Sequence, residues 1–214
     1  NPSDQFLIMD ADIENLNFQL SSLPRTNQAS NSEKLVPQKF TGCVTFYETN
    51  LKNIKFFGNS GLCEDQVNFV KSDGQISNIS IENAFSDGVD IDFSKLSIDS
   101  ISVSKVGNDC LDFSGGDYNL NRVKVKNCPD KGISVGEKSN VKIEYLEVAS
   151  SDIGIAVKDS SFSKIKSFEG NDLNVCAWAF NKKQEFFGGS IILGSVECPI
   201  NRINSDRTSF IFLQ

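Results

Sequence analysis

Histidine is absent from this 214-residue sequence. That absence removes Ser-His-Asp triads, Cys-His pairs and His-ligated zinc in one step. Arginine is nearly absent too, standing only at Arg25, Arg122, Arg202 and Arg207. The formal net charge is −7, so the basic stripe that nucleic acid or an anionic membrane surface requires is missing. No apolar run approaches the 18 residues of a membrane span. Trp occurs once, Met once and Tyr three times, against 17 Phe. The chain opens Asn-Pro-Ser-Asp with no initiator Met and no signal-like region, which reads as a mature or trimmed fragment.

Six cysteines stand at 43, 63, 110, 128, 176 and 198. Taken as successive pairs they are about one 22-residue unit apart, so within-turn or rung-to-rung disulfides are open, as are thiols buried in a core. Disulfides would place the protein outside the cytoplasm: extracellular, periplasmic or on the cell surface.

What the chain has in abundance is a repeat. Asp87-Gly-Val-Asp-Ile-Asp-Phe is preceded 22 residues earlier by Asp65-Gln-Val-Asn-Phe and followed 22 later by Asp109-Cys-Leu-Asp-Phe. Further steps give Lys131-Gly-Ile-Ser-Val, Ile153-Gly-Ile-Ala-Val and Val175-Cys-Ala-Trp-Ala. The alternation predicts an inward column Val67, Val89, Leu111, Ile133, Ile155, Ala177 and a second at Phe69, Ile91, Phe113, Val135, Val157, Ala179. Each unit carries another strand, as in Ile76, Ile79, Ile81 and Ile98, Ile101, Val103. Upstream, Leu51, Ile54, Phe56 and Ile13, Leu16, Phe18 fit the same pattern. Gly, Asn, Asp and Ser fill the turns between strands. Apolar segments this short and β-branched do not make helices, and the signature of a leucine-rich repeat is missing.

The expected architecture is therefore all-β: a right-handed parallel β-helix of about eight rungs on a 22-residue repeat, one domain over 1–214. Residues 21–40 read as a loop excursion, 41–195 as the repeat core, and 190–214 as closing strands. A shorter loop is expected at 181–189.

Stacking turns repeat positions into outward columns. One reads Asp65, Asp87, Asp109, Lys131; a second Asn68, Asp90, Asp112, Ser134; a third Asp92, Ser114, Gly136, Lys158. Carboxylates this close must raise their pKa values or share a cation. The expected catalytic set is Asp87, Asp109, Asp112, Lys131 and Lys158, with Asp92, Ser134 and Trp178 contacting substrate. Asp90 and Asp112 are the expected ligands if the row holds Ca²⁺. Paired carboxylates suit glycoside cleavage, and a Lys beside Ca²⁺ suits proton abstraction in a lyase. Asp is also a common turn residue, so a solvated surface is the plain alternative.

Over about residues 40–195 the repeat resembles the right-handed β-helix superfamily of pectate lyases and polygalacturonases, and looks closest to bacterial β-helix repeat proteins without assigned activity. Ser86-Asp87-Gly88, Asn108-Asp109-Cys110, Lys131-Gly132-Ile133-Ser134 and Ile155-Ala156-Val157-Lys158 are similar in spacing to the polygalacturonase motif series. The resemblance implies catalytic carboxylates at Asp87 and Asp109 and a substrate contact at Lys158. Here, however, Asn108-Asp109 replaces an Asp pair, Lys131 stands where the family has His, and its Arg is missing. The expected partner is a polysaccharide or cell-surface glycan, met either by an enzyme or by a non-catalytic binding or structural solenoid.

Overall fold

The computed structural model describes residues 5–21 and 40–214. Fourteen strands follow the chain: β1 (Phe6–Met9), β2 (Asp12–Glu14), β3 (Asn17–Ser21), β4 (Gly42–Tyr47), β5 (Asn50–Asn59), β6 (Asp65–Val70), β7 (Asp73–Glu82), β8 (Asp87–Ser104), β9 (Leu111–Gly136), β10 (Asn140–Lys158), β11 (Phe162–Phe180), β12 (Ser190–Glu197), β13 (Ile203–Ser205) and β14 (Phe210–Leu213). All pair in parallel. The result is a β-solenoid of about eight turns with 22-residue spacing. Most of the loop expected over 21–40 lies outside the described residues.

The coil turns because two positions per rung adopt a left-handed backbone. One corner column is Glu48, Lys71, Phe93, Gly115, Glu137, Asp159; the other is Ser60, Asn83, Lys105, Asn127, Ser150, Asp172. A single positive-φ residue bends an extended chain sharply at the cost of one local conformation. Between corners, alternation sends every second side chain inward. Val67 pairs with Val89 and Val89 with Leu111; Phe46, Phe69, Ile91 and Phe113 form the adjacent column. These side chains are at most 1% exposed. The Phe46 and Phe69 rings stack at 5.0 Å.

The N-terminal rungs depart from the expected register. Ile54 faces Ile76 and Phe56 faces Ile79, so Leu51 lies opposite Gly74 rather than aligning with Ile76. A bulge at Asn53, whose φ is 54°, shifts the pairing by one residue between Leu51 and Ile54, and a second irregularity between Ile54 and Lys55 reverses it.

A hydroxyl ladder lies inside the first corner. The Thr49 N–H donates to Ser72 Oγ at 3.2 Å and the Ser72 N–H to Ser94 Oγ at 2.9 Å. Further along, the Ser139 N–H donates to Ser161 Oγ at 3.1 Å. The rung between holds Gly116, with φ 98° and no room for a side chain. There the Tyr118 hydroxyl takes over: it accepts from the Ser94 N–H at 3.3 Å and donates to backbone carbonyl oxygen. Buried backbone groups thus keep partners at a rung that lacks the hydroxyl of its neighbours.

Three disulfides close the coil within single turns: Cys43–Cys63, Cys110–Cys128 and Cys176–Cys198, with no free cysteine among the described residues. No helix there is long and apolar enough to cross a membrane.

Candidate functional site

The acidic columns assemble on one outward face. Asp65 is the register partner of Asp87; Asn68, Asp90 and Asp112 are successive partners; Asp92 lies between Val70 and Ser114. Neighbouring rungs are about 4.8 Å apart, which sets the vertical spacing of these carboxylates.

The first column has a structural duty. Asp87 Oδ1 accepts from the Asp109 N–H at 3.0 Å and from Asn108 Nδ2 at 2.7 Å. Asp109 Oδ1 likewise accepts from the Lys131 N–H at 2.9 Å, and Lys131 Nζ lies 3.4 Å from the same oxygen. Each Asp therefore accepts from the backbone N–H of its counterpart on the next rung. Lys131 also pairs with Asp130. Burial pushes Asp109, 4% exposed, up to about 6, with Lys131 holding it lower than burial alone would. Asp65, 3% exposed, rises to about 7 for the same reason, and its Oδ2 has no hydrogen-bond partner.

In the second column the carboxyl shift is larger. Burial, together with the Asp92, Asp65 and Asp112 carboxylates, pushes Asp90 far above the carboxylate range. This favours the protonated form of Asp90, which hydrogen-bonds Asp92, whose own pKa is also raised by burial. Asn68 Nδ2 donates to Asp90 Oδ2 at 3.0 Å and to Asp92 Oδ2 at 3.4 Å, orienting both. Beside this pair stands Asp112, part-exposed, its Oδ1 buried without a partner.

Lys158 is 8% exposed and donates to the fully buried Ser134 hydroxyl. Burial lowers its pKa, opposed by the nearby charge of Asp112. Gly136 leaves the space its stem fills: an added Cβ there would lie 3.1 Å from Lys158 Cε. Residues 181–189 connect β11 to β12 and are tied down beside Lys158. Buried Asp159 Oδ1 accepts from the N–H groups of Lys182 and Lys183, and Lys183 pairs with Glu137.

The structure therefore gathers Asp87, Asp90, Asp92, Asp109, Asp112 and Lys131, with Ser134 and Lys158 buried under one end. Trp178 lies three rungs from Asp112, 37% exposed, its ring 4.6 Å from that of Phe180. Three contributors stand outside the residues expected to act. Asp65 and Asn68 belong to the columns already recognised, and burial and hydrogen bonding give them their parts. Phe93 stands beside Asp92 at the left-handed corner, exposed, with its ring over Gly115. Its place in a 22-residue column of turn residues was the available signal.

No group of three or more acidic side chains is drawn together as a metal shell among the described residues. Ca²⁺ takes six to eight oxygens. Asp90 and Asp112 offer part of that number, and the orphan Oδ1 of Asp112 is the observation that fits a cation.

The raised carboxylates make stability depend on pH in a definite sense. A carboxyl whose folded pKa exceeds its unfolded value binds more protons when folded, so its contribution is complete below about pH 4 and is lost as pH rises through the folded value. Asp65 and Asp109 place this loss between pH 4 and about 7. At about 1.4 kcal/mol per unit, Asp65 alone is worth on the order of 4 kcal/mol. Calorimetric melting should give a Tm roughly 10 °C higher at pH 5 than at pH 8. A flat profile would mean these groups are solvated.

No protein-family model, curated protein or solved structure matches this chain.

Proposed function

We propose that this protein is an extracellular carbohydrate-active β-helix, similar to the pectate lyase and polygalacturonase superfamily in fold, which binds a polysaccharide along its acidic face and hydrolyses a glycosidic bond there. The single observation that carries the reading is the pairing of Asp90 with Asp112: a carboxyl that keeps its proton is the register partner of a part-exposed carboxylate. A separation near 5 Å belongs to retaining hydrolysis. Asp90 would donate its proton to the departing oxygen while Asp112 attacks the anomeric carbon. Asp90, now ionised, would then take a proton from the water that releases the sugar. Lys158 supports the negative charge of Asp112, and Asp92 with Asn68 holds Asp90 in place. Phe93 and the Trp178–Phe180 pair provide faces on which sugar rings stack. The three disulfides support secretion.

The test is incubation with a panel of purified polysaccharides. Release of reducing ends, with the anomer first formed identified by proton NMR, should show retention. Inversion would displace Asp112 as nucleophile, and no release from any polymer would end the hydrolytic reading. A Ca²⁺-holding row is the second reading, favoured by the unpartnered oxygens of Asp112 and Asp65. Calorimetric titration of Ca²⁺ into chelator-treated protein decides it, with binding expected to vanish in an Asp90→Asn/Asp112→Asn variant.

A further inference from the structure

The first and last described rungs are open. Among the described residues β1 pairs only with β4, and β2 and β3 only with β5; at the other end β13 pairs only with β11 and β14 only with β12. Each of these strands has a free edge, along which backbone N–H and C=O groups lack a strand partner. The inward columns run out at the same places. Phe6 is 53% exposed although its register partner Val44 is fully buried, and Leu213 is 49% exposed beside a fully buried Leu193. Ile8, Ile13, Phe18, Ile203 and Ile211 are only partly buried for the same reason. Sheets ordinarily blunt such edges with Lys, Pro or a bulge. Here β1 reads Phe-Leu-Ile-Met and β14 reads Phe-Ile-Phe-Leu, with neither charge nor Pro.

Geometry and charge both select a second copy of this chain as what covers these ends. Parallel rung-on-rung stacking already holds the coil together, and an end of the same coil extends it with the same hand and side-chain period. With β1 of one copy parallel to β14 of the next, Phe6 and Ile8 follow Ile211 and Leu213 in the inward column, and Leu7 follows Phe212 outside. The charges distinguish the two ends. Residues 5–21 carry Asp10, Asp12 and Glu14 and no Lys or Arg, whereas residues 198–214 carry Arg202 and Arg207 against Asp206. Two first rungs brought together would oppose like charges; a first rung on a last rung does not. We propose that copies of this chain stack head to tail, the first rung of one on the last rung of another, and so continue a single β-solenoid. Such an interface joins two different surfaces along the coil axis, so it repeats without closing. The association does not depend on what the acidic face binds.

Analytical ultracentrifugation of the full chain, from micromolar to millimolar concentration, tests this. The weight-average mass should rise steadily and pass about four copies without levelling. Phe6→Lys blocks the first rung and Leu213→Lys the last, each by placing a charge in the inward column at a free edge. Either variant alone should stay monomeric, because head-to-tail contact needs both ends. An equimolar mixture of the two should form dimers and nothing larger, since it offers one free first rung to one free last rung. Circular dichroism melts confirm that the variants fold, and Leu7→Lys or Phe212→Lys, outward on the same strands, replaces an inward variant that does not. An unsubstituted chain that remains monomeric at millimolar concentration would overturn the proposal. A dimer that stops at two, or self-association by one variant alone, would overturn it in favour of contact between like ends. A mixture that gains no dimer would overturn it as well.

Discussion

Asp90→Asn should abolish hydrolysis, lowering kcat roughly 10³-fold, without lowering the melting temperature at neutral pH. Both halves follow from the protonation of Asp90. Removing the proton donor in the transition state typically costs about 10²–10⁴ in rate. Asn is close to the shape of a neutral carboxyl and keeps an acceptor for Asn68 and a donor toward Asp92. Replacing a group that is already uncharged leaves the folded state with no lost ion pair. A comparison with Asp109→Asn sharpens the assignment. That change keeps the oxygen that caps Lys131 but removes the charge opposite its ammonium. Its expected effect is a smaller loss of activity, about tenfold, through a displaced Lys131. Steady-state kinetics on the best polymer of the panel, with melts of both proteins, measures this. If Asp109→Asn were the dead variant and Asp90→Asn the active one, the acid would belong to the first column.

Reduction of the disulfides should have the largest effect on the fold. The bridges close loops of 20, 18 and 22 residues. In the chain-entropy account each stabilises by about 3 kcal/mol, chiefly by restricting the unfolded chain. Three together amount to on the order of 9 kcal/mol, against total stabilities of about 5–15 kcal/mol for ordinary domains. Melting with and without reductant should differ by roughly 20–30 °C. Equal melting temperatures would mean that the thiols are unpaired in solution.

The inward columns were readable from residues such as Val67, Val89 and Leu111 because burial on a parallel sheet leaves a strict apolar period. The outward Asp columns were readable for the same reason: the repeat length carries position directly into space. Other features had no such signal. The bulge at Asn53 and its reversal after Ile54 leave the hydrophobic pattern of the strand intact, so neither shows in the sequence. The Tyr118 hydroxyl serves a backbone group belonging to Ser94, a relation between rungs that no local window contains. The distinction between Asp109 as a cap and Asp90 as a proton carrier depends on burial and on hydrogen-bond donors. Both residues are simply Asp in the same repeat, and their different environments exist only once the rungs are stacked.

The cysteine bridges recur at about every third rung, since Cys43, Cys110 and Cys176 follow one another at about three 22-residue repeats. Each rung otherwise touches only the rungs beside it, so a coil of this kind unravels from an end. Under tension the chain would therefore pay out in instalments, two unriveted turns at a time. Each riveted turn would withhold its enclosed loop from the extending tether. A protein stretched between two anchors would lengthen in steps and keep slack in reserve until a reductant released it.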